Sequence, residues 1–255
     1  PGKIIDVPPG SLSGNLRYGP EYKAAELESM LCFEPGELQQ EIEACHGCAE
    51  CKTPSNNVNM CPMFKANPRE HASPRAKANF LRNVISGRLP VEPLHSPQAR
   101  EMLELCLNCK SCALDCPSQV NIPMLWDEAK ARYHAVKGRS LQEKVMGGVD
   151  TLAGMAAPHA RVSNALAPLL VRLAAGVSAE RKLPRLRRDT FLRRHAGEKK
   201  GSGQIRAALF VDSYINYYEP ELGEVFLELL GSGDVTVIVP EQTGCGVPQF
   251  NNGGL

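Results

Sequence analysis

Apolar residues recur at helical spacing through most of this chain, and proline or glycine punctuates the runs. Two Ser-Pro pairs place a capping hydroxyl directly before a proline at the first helical position; they are Ser73-Pro74 and Ser96-Pro97. Further helices are predicted over residues 37–44 and from Pro123 through Tyr133. No convincing strand pattern occurs between residues 37 and 180, so this region is predicted to be all helical.

The pattern changes class near residue 204. Residues 207–211 and 235–239 are typical of buried strands, and residues 220–230 are typical of a helix between them. The apolar side chains expected to face inward on that helix are Leu222, Val225, Phe226, Leu229 and Leu230. Since only sixteen residues follow residue 239, we expect this β-α-β segment to be truncated or to be completed by another chain.

Eight of the ten cysteines fall into two motifs, each ending in Cys-Pro. The first motif is Cys45, Cys48, Cys51 and Cys61, and the second motif is Cys106, Cys109, Cys112 and Cys116. The second has the C-x-x-C-x-x-C-x-x-x-C-P spacing of bacterial ferredoxins, and the first repeats it with a longer last gap. The sequence therefore predicts two [4Fe-4S] clusters and a role in electron transfer.

The fourth cysteine of each motif is the remote one. In two-cluster ferredoxins it ligates the cluster of the other motif. The predicted ligands are Cys45, Cys48, Cys51 and Cys116 for cluster 1, and Cys106, Cys109, Cys112 and Cys61 for cluster 2. We predict no catalytic residue, because no dinucleotide fingerprint and no nucleophile-base pair stands out.

Two other uses of these cysteines are open. Structural zinc also uses C-x-x-C pairs, but the third closely spaced cysteine in each motif is one more than zinc needs. Disulfides require an oxidising compartment, and nothing here resembles a secretory signal peptide. Zinc is therefore the remote alternative, and disulfides are disfavoured further.

Charge gives no indication of a nucleic-acid partner. The formal net charge is +1, and two oxidised clusters, each a dianion with its thiolates, would change it to about −3.

No run is long and apolar enough to span a membrane. Residues 141–177 predict broken helices that pack on the cluster unit or lie on a membrane surface, with packing favoured. The basic tract at residues 181–200 predicts a solvated linker, with docking to an acidic partner or anionic lipid as the alternative.

The motifs together resemble a known family. They are the two ferredoxin motifs, the basic tract, and three short patterns: Asp-x-x-x-Asn-Tyr-x-x-Pro-Glu from Asp212, Val-Pro-Glu-Gln from Val239, and Cys-Gly-x-Pro from Cys245. The chain resembles the iron-sulfur subunits of glycolate oxidase, anaerobic glycerol-3-phosphate dehydrogenase and heterodisulfide reductase. Residues 1–5 look like the closing segment of the FAD-linked oxidase domain of D-lactate, glycolate and D-2-hydroxyglutarate dehydrogenases.

The resemblance implies a division of the chain into four parts. They are a tail of an FAD-linked oxidase domain (1–36), an α-helical two-cluster ferredoxin domain (37–140), a helical and basic linker (141–203), and the start of a Cys-rich α/β domain like that of heterodisulfide reductase (204–255). The usual members carry a Cys-Cys-Gly motif where this chain has Gly244 and Cys245. We therefore expect no additional cluster there, with Cys245 as a structural residue and Cys32 as a small buried hydrophobe.

The resemblance also implies a function. Electrons from an FAD that oxidises a 2-hydroxy acid would pass through the clusters to a quinone or another carrier, with FAD on an N-terminal part not present here. The implied partners are a flavin dehydrogenase domain or subunit and the acceptor. The implied location is cytoplasmic, with peripheral contact at the inner face of the membrane as an alternative. A separate iron-sulfur subunit of a related complex is the alternative.

Overall fold

A computed structural model describes residues 16–19 and 21–254 of the chain. The segment at residues 1–5, which resembles the end of an FAD-linked oxidase domain, lies outside the described residues. The chain divides into two compact units, the first ending at Lys137 and the second beginning at Gly138. The second unit contains both the predicted linker (141–203) and the predicted α/β segment (204–255).

The first unit is built from helices and short 3-10 turns. The helices are α1 (Glu37–Glu43), α2 (Pro62–Ala66), α3 (Pro74–Ile85), α4 (Pro97–Glu104), α5 (Ser111–Leu114) and α6 (Ile122–Lys137). The 3-10 turns are Glu50–Lys52, Glu70–Ala72 and Glu92–His95. From residue 37 to residue 180 every regular element is helical, so the prediction of a mainly α fold is confirmed.

The two Ser-Pro signals begin helices as predicted. The Ser73 side chain accepts a hydrogen bond of 3.1 Å from the Ala76 amide, and Ser96 accepts one of 3.1 Å from the Ala99 amide. Each hydroxyl satisfies a backbone donor that the first turn leaves without a helical partner. These caps set the starts of α3 and α4, the helices that follow the first motif and precede the second.

The core of the first unit lies between α3 and α6. Its fully buried side chains include Leu81, Val84, Ile85, Leu125 and Trp126. Four motif cysteines pack against the edge of this core; they are Cys45, Cys106, Cys112 and Cys116. The helices therefore form an apolar wall behind the cysteine loops.

The second unit combines helices with a small sheet. Its helices are α7 (Leu141–Gly147), α8 (Val149–Ala156), α9 (Ala160–Ala175), α10 (Phe191–His195), α11 (Ser213–Tyr217), α12 (Pro220–Gly231) and α13 (Val247–Asn251). Its strands are β1 (Lys199–Lys200), β2 (Ile205–Ala208) and β3 (Val235–Ile238). The strand order is β1-β3-β2.

The predicted β-α-β segment is present. Strands β2 and β3 pair in parallel, with Ala207 opposite Val237, and α11 and α12 lie between them in the chain. Strand β1 was not predicted; it comes from the end of the basic tract and pairs antiparallel with β3. The fully buried Phe191 of the same tract belongs to the core beneath the sheet, so part of the tract is built into this unit.

The predicted inward face of α12 is wrong for Leu222, Val225, Phe226 and Leu229, all of which are exposed. The helix instead buries Gly223 and Leu227. A Cβ atom at Gly223 would come within 2.5 Å of the Phe191 ring, so glycine permits the close approach on this side. Because α12 is apolar around most of its circumference, periodicity could not tell which face packs.

Within the part of the chain that the structure describes, no helix combines the length and the hydrophobicity needed to cross a bilayer.

Candidate metal centre

The closely spaced cysteines of both motifs lie in loops with positive φ at matching positions. In each, the second and fourth residues after the first cysteine have positive φ: Gly47 (80°) and Ala49 (68°) in the first motif, Asn108 (52°) and Lys110 (65°) in the second. A left-handed conformation costs a residue with a Cβ roughly 1–2 kcal/mol. Both motifs adopt this conformation at matching positions, so the two loops are structural repeats as well as sequence repeats.

The cysteines line two cavities. The first cavity is lined by Cys45, Cys48, Cys51 and Cys116, and also by Cys112. The second cavity is lined by Cys61, Cys106, Cys109 and Cys112. Each cavity therefore brings together three cysteines of one motif and the remote cysteine of the other. These are the residues of the two predicted ligand sets, and their ligation of a cluster stays a prediction.

The donor chemistry of both cavities fits an iron-sulfur cluster. A [4Fe-4S] cluster takes four cysteine thiolates, one for each iron, and each cavity has four cysteines of a predicted set on its wall. Among the described residues, no three His, Cys, Asp or Glu side chains converge on the position of a single metal ion.

Burial affects the acidity of two motif thiols, Cys51 and Cys112. Burial raises the pKa of Cys51 to about 11; a hydrogen bond involving the Arg75 backbone opposes this, and the charges of Cys45 and Cys48 add to it. Burial likewise raises the pKa of Cys112 to about 12, with a further contribution from Cys106. Because only the thiolate ligates metal, filling the cavities must release protons.

Lys77 places a buried positive charge at the second cavity. Its side chain lines that cavity although the residue is only 2% exposed. Its Nζ donates a 2.6 Å hydrogen bond to the Leu105 carbonyl and lies 5.7 Å from the centre of the Trp126 ring. The charge is thus held by a carbonyl and an aromatic face, with no carboxylate among these contacts, and its field acts on the cysteines, lowering the pKa of Cys112 against the effect of burial.

Arginine side chains hold the backbone beside the first cavity. The buried Arg82 of α3 donates hydrogen bonds to the carbonyls of Ile42, Glu43 and Cys45. Arg17 donates to the Cys45 carbonyl as well, at 2.8 Å. These guanidinium groups fix the point where α1 ends and the first motif begins, and they place positive charge near it.

Acidic side chains join the cysteine loops to the helical frame. Asp127 of α6 accepts a 2.9 Å hydrogen bond from Asn108 Nδ2, and its carboxylate lies 3.9 Å from Lys110 Nζ. Burial raises the pKa of Asp127, although Lys110 opposes this. Asp115, in the second motif, accepts a 2.9 Å hydrogen bond from the Met60 amide, next to the last cysteine of the first motif. The two motifs are therefore tied to each other and to α6.

Sequence reasoning did not single out Lys77, Asp127 or Asp115. The burial of Lys77 could have been predicted from the sequence, because Lys77 lies four residues before Leu81 and therefore on the apolar face of α3. Lys52 flanks the last closely spaced cysteine of the first motif, and its Nζ lies 2.6 Å from the Glu70 carboxylate.

The two remaining cysteines lie outside both cavities. Cys32 is exposed, so its prediction as a small buried hydrophobe is wrong; its neighbour Phe33 packs against the core instead. Cys245 lies in the second unit, with its Sγ 3.2 Å from the Ser213 hydroxyl. Neither residue shares a cavity with the eight motif cysteines.

Comparison with known proteins locates the cysteine-bearing part of the chain in a family. Residues 41–120 match the 4Fe-4S dicluster domain. One of the subunits of anaerobic glycerol-3-phosphate dehydrogenase from Escherichia coli (strain K12) is 28% identical over 220 residues, covering 83% of this chain and 52% of that protein. No solved structure gives a significant match.

Two other relatives cover shorter stretches. The probable glycolate oxidase iron-sulfur subunit of Bacillus subtilis (strain 168) is 34% identical over 49% of this chain and 26% of its own length. D-2-hydroxyglutarate dehydrogenase of Pseudomonas putida is 26% identical over 42% of this chain and 14% of its own length. The chain therefore spans about half the length of the first relative and less of the others. Residues 41–120 are similar to the 4Fe-4S dicluster domain, and the chain is similar to subunits of oxidoreductases, one of which is an iron-sulfur subunit.

Proposed function

We propose that this chain is the electron-relay part of an FAD-dependent oxidoreductase that oxidises a 2-hydroxy acid. Two [4Fe-4S] clusters would accept electrons one at a time from the flavin and pass them to a quinone or another carrier. The observation that carries the proposal is the pair of cavities, each with four cysteines of one predicted set on its wall and both with Cys112 on theirs. Cavities that share a wall suit electron transfer between their occupants.

The chain itself contributes ligation and electrostatics. When bound, the clusters supply one-electron redox chemistry, and their potentials depend on burial, charge and hydrogen bonds. Lys77 and Arg82 place positive charge beside the cysteine loops, which favours a cluster's more negative, reduced form. Substrate oxidation and FAD binding would belong to another domain or subunit, in keeping with a cytoplasmic enzyme of this class.

A second candidate is a separate iron-sulfur subunit of a glycerol-3-phosphate dehydrogenase or heterodisulfide-reductase-like complex. The match to the glycerol-3-phosphate dehydrogenase subunit favours it, since that match covers 83% of this chain. Flavin content and polypeptide size of the protein purified from its native cells separate the two. Flavin in the same polypeptide supports the fused enzyme, and flavin in a second polypeptide supports the alternative.

Iron and acid-labile sulfide per chain, measured on anaerobically purified protein, test the cluster assignment. Two [4Fe-4S] clusters require about eight irons and eight sulfides per chain. Visible absorption that bleaches with dithionite is expected with them. Colourless protein with stoichiometric zinc would instead support the remote alternative, a zinc-bound interaction module.

Double variants test which cysteines share a cluster. If Cys116 ligates with the first motif, C45A/C116A removes one cluster and leaves about four irons, whereas C106A/C116A removes both. Ligation of each cluster by its own motif alone would reverse these two results. The matched control is C32A, which changes an exposed cysteine outside both cavities and should keep all the iron.

A further inference from the structure

One face of α9 and the loop that follows it (177–186) line a cavity of about 370 Å³ in the second unit. A volume of this size lies within the range of sites for small ligands. The remaining lining comes from residues 179 and 181–185 of the loop. Among the described residues, no motif cysteine lines this cavity, so it is not part of the predicted cluster sites. The residues that α9 contributes lie at helical spacing; they are Asn164, Ala167, Pro168 and Arg172.

Four cations line the cavity, and no carboxylate among the described residues does. The cations are Arg172, Arg181, Lys182 and Arg185. Glu180 is the acidic residue nearest to them in the sequence, but its side chain is exposed and is not part of the lining. Positive charges gathered in a concave site without a neutralising carboxylate attract anions.

The paired arginines of the same basic tract provide a contrast. Arg187 forms an ion pair with Glu221, and Arg194 forms one with Glu224, both of them on α12. None of the four cations of the cavity forms an ion pair with a described carboxylate. The charge of the tract is therefore neutralised at α12 and is left available at the cavity.

Specific contacts hold the loop against α9. Arg172 Nη2 donates a 2.6 Å hydrogen bond to the Ala179 carbonyl near the start of the loop. At its end, Asn164 forms two hydrogen bonds with the Leu186 backbone, of 2.9 and 2.8 Å, and the Leu186 side chain belongs to a small core with Ala153. Because both ends of the loop are fixed, a ligand would enter a formed cavity, which lowers the entropic cost of binding.

The Arg172 guanidinium has an unused donor. Its Nε is buried and has no hydrogen-bond partner among the described residues. The large majority of buried polar side-chain atoms in folded proteins have a partner. An anion in the cavity that Arg172 lines would bring acceptor oxygens to this guanidinium. The unused donor and the four cations together indicate a ligand with several anionic oxygens.

We propose that this cavity binds a soluble ligand that carries a diphosphate group. Guanidinium forks and lysine ammonium groups are the usual partners of phosphate oxygens. A diphosphate presents oxygens to several cations at once, whereas a single phosphate would use only part of this charge. A cavity between a helix face and a loop suits a small molecule rather than a flat surface. No predicted cluster ligand takes part, so the proposal is independent of the electron-relay function.

Isothermal titration calorimetry with pyrophosphate tests the proposal on the full protein, its clusters assembled anaerobically. Saturable binding of one pyrophosphate per chain is expected, weakened by added salt, with weaker binding of inorganic phosphate. Vesicles of phosphatidylcholine with phosphatidylglycerol should not displace the pyrophosphate. Absence of saturable binding, or displacement by these vesicles, would overturn the proposal. Iron content of the same sample tests the electron-relay function separately.

Two double variants of equal charge distinguish the cavity from the basic tract as a whole. R181Q/K182Q removes two exposed cations of the cavity and should weaken pyrophosphate binding about 25-fold, because unit charges about 4 Å apart in water contribute about five-fold each. R187Q/R194Q is the matched control; it removes two cations that have carboxylate partners and should bind within about two-fold of the parent. Equal weakening in both variants, or parent-like binding by R181Q/K182Q, would contradict a specific site.

Discussion

Replacing Lys77 by methionine should lower the reduction potential of the cluster in the second cavity. The side chain is buried, lines that cavity and carries a full positive charge, which stabilises the additional negative charge of a reduced cluster. Two unit charges about 4 Å apart interact by about 4 kcal/mol at an effective dielectric constant of 20, and by about 2 kcal/mol at twice that distance. Since about 2.3 kcal/mol corresponds to 100 mV, these energies correspond to a decrease of roughly 90–170 mV.

The assay is an anaerobic redox titration followed by electron paramagnetic resonance. One of the two cluster signals should move in K77M and the other should stay near its parent position. Lys110 provides the matched control, because it lines the same cavity with a side chain that is 51% exposed. Water and salt screen an exposed charge, so K110M should shift the potential less than K77M does.

Loss of the charge must be distinguished from loss of structure. K77M leaves the Leu105 carbonyl without its donor, which should cost about 1–3 kcal/mol of folding stability. Iron content shows whether both clusters are still bound, and K77R restores the charge at the same position. If K77M holds its full iron and both potentials match those of the parent, Lys77 does not tune the cluster, and the electrostatic reasoning is refuted.

Substitutions at three further positions test the frame around the cysteine loops. Because burial raises the pKa of Asp127, its contribution to stability is present below the ordinary carboxylate pKa of about 3.9 and is lost as the pH rises through the folded-state pKa. D127N can still accept from Asn108 and should therefore unfold in urea at pH 7 no more readily than the parent. At acid pH its stability relative to the parent should decrease, because only the parent gains stability from protonation. D127A should lose about 1–2 kcal/mol of unfolding free energy. E128A should destabilise by about 1–3 kcal/mol and speed hydrogen exchange of the Met30 amide, since the Glu128 carboxylate accepts from it; parent-like exchange would contradict this contact. S73A should cost about 1 kcal/mol in urea unfolding through the lost cap, and an unchanged midpoint would argue against it.

The local features of this protein could be predicted from its sequence. The Ser73 and Ser96 caps, the helical character of the first unit, and the β2-α12-β3 order depend on neighbouring residues, so short-range patterns were sufficient. The dicluster domain followed from cysteine spacing, because three cysteines at every third position shape one loop around one cluster. Such short-range patterns could not predict which side chains become buried, or which charges lie close to residues that are distant in the sequence.

By itself, the sequence determined which residue types carry the chemistry and where most helices begin, because spacing and capping act within a few residues of the chain. Tertiary structure decided the rest. It brought Cys116 to the cavity of the first motif and Cys61 to that of the second, buried the charge of Lys77, and turned Gly223 rather than Leu222 toward Phe191. Each of these outcomes depends on which surfaces of distant elements fit closely together, and close packing of a core is a property of the whole unit.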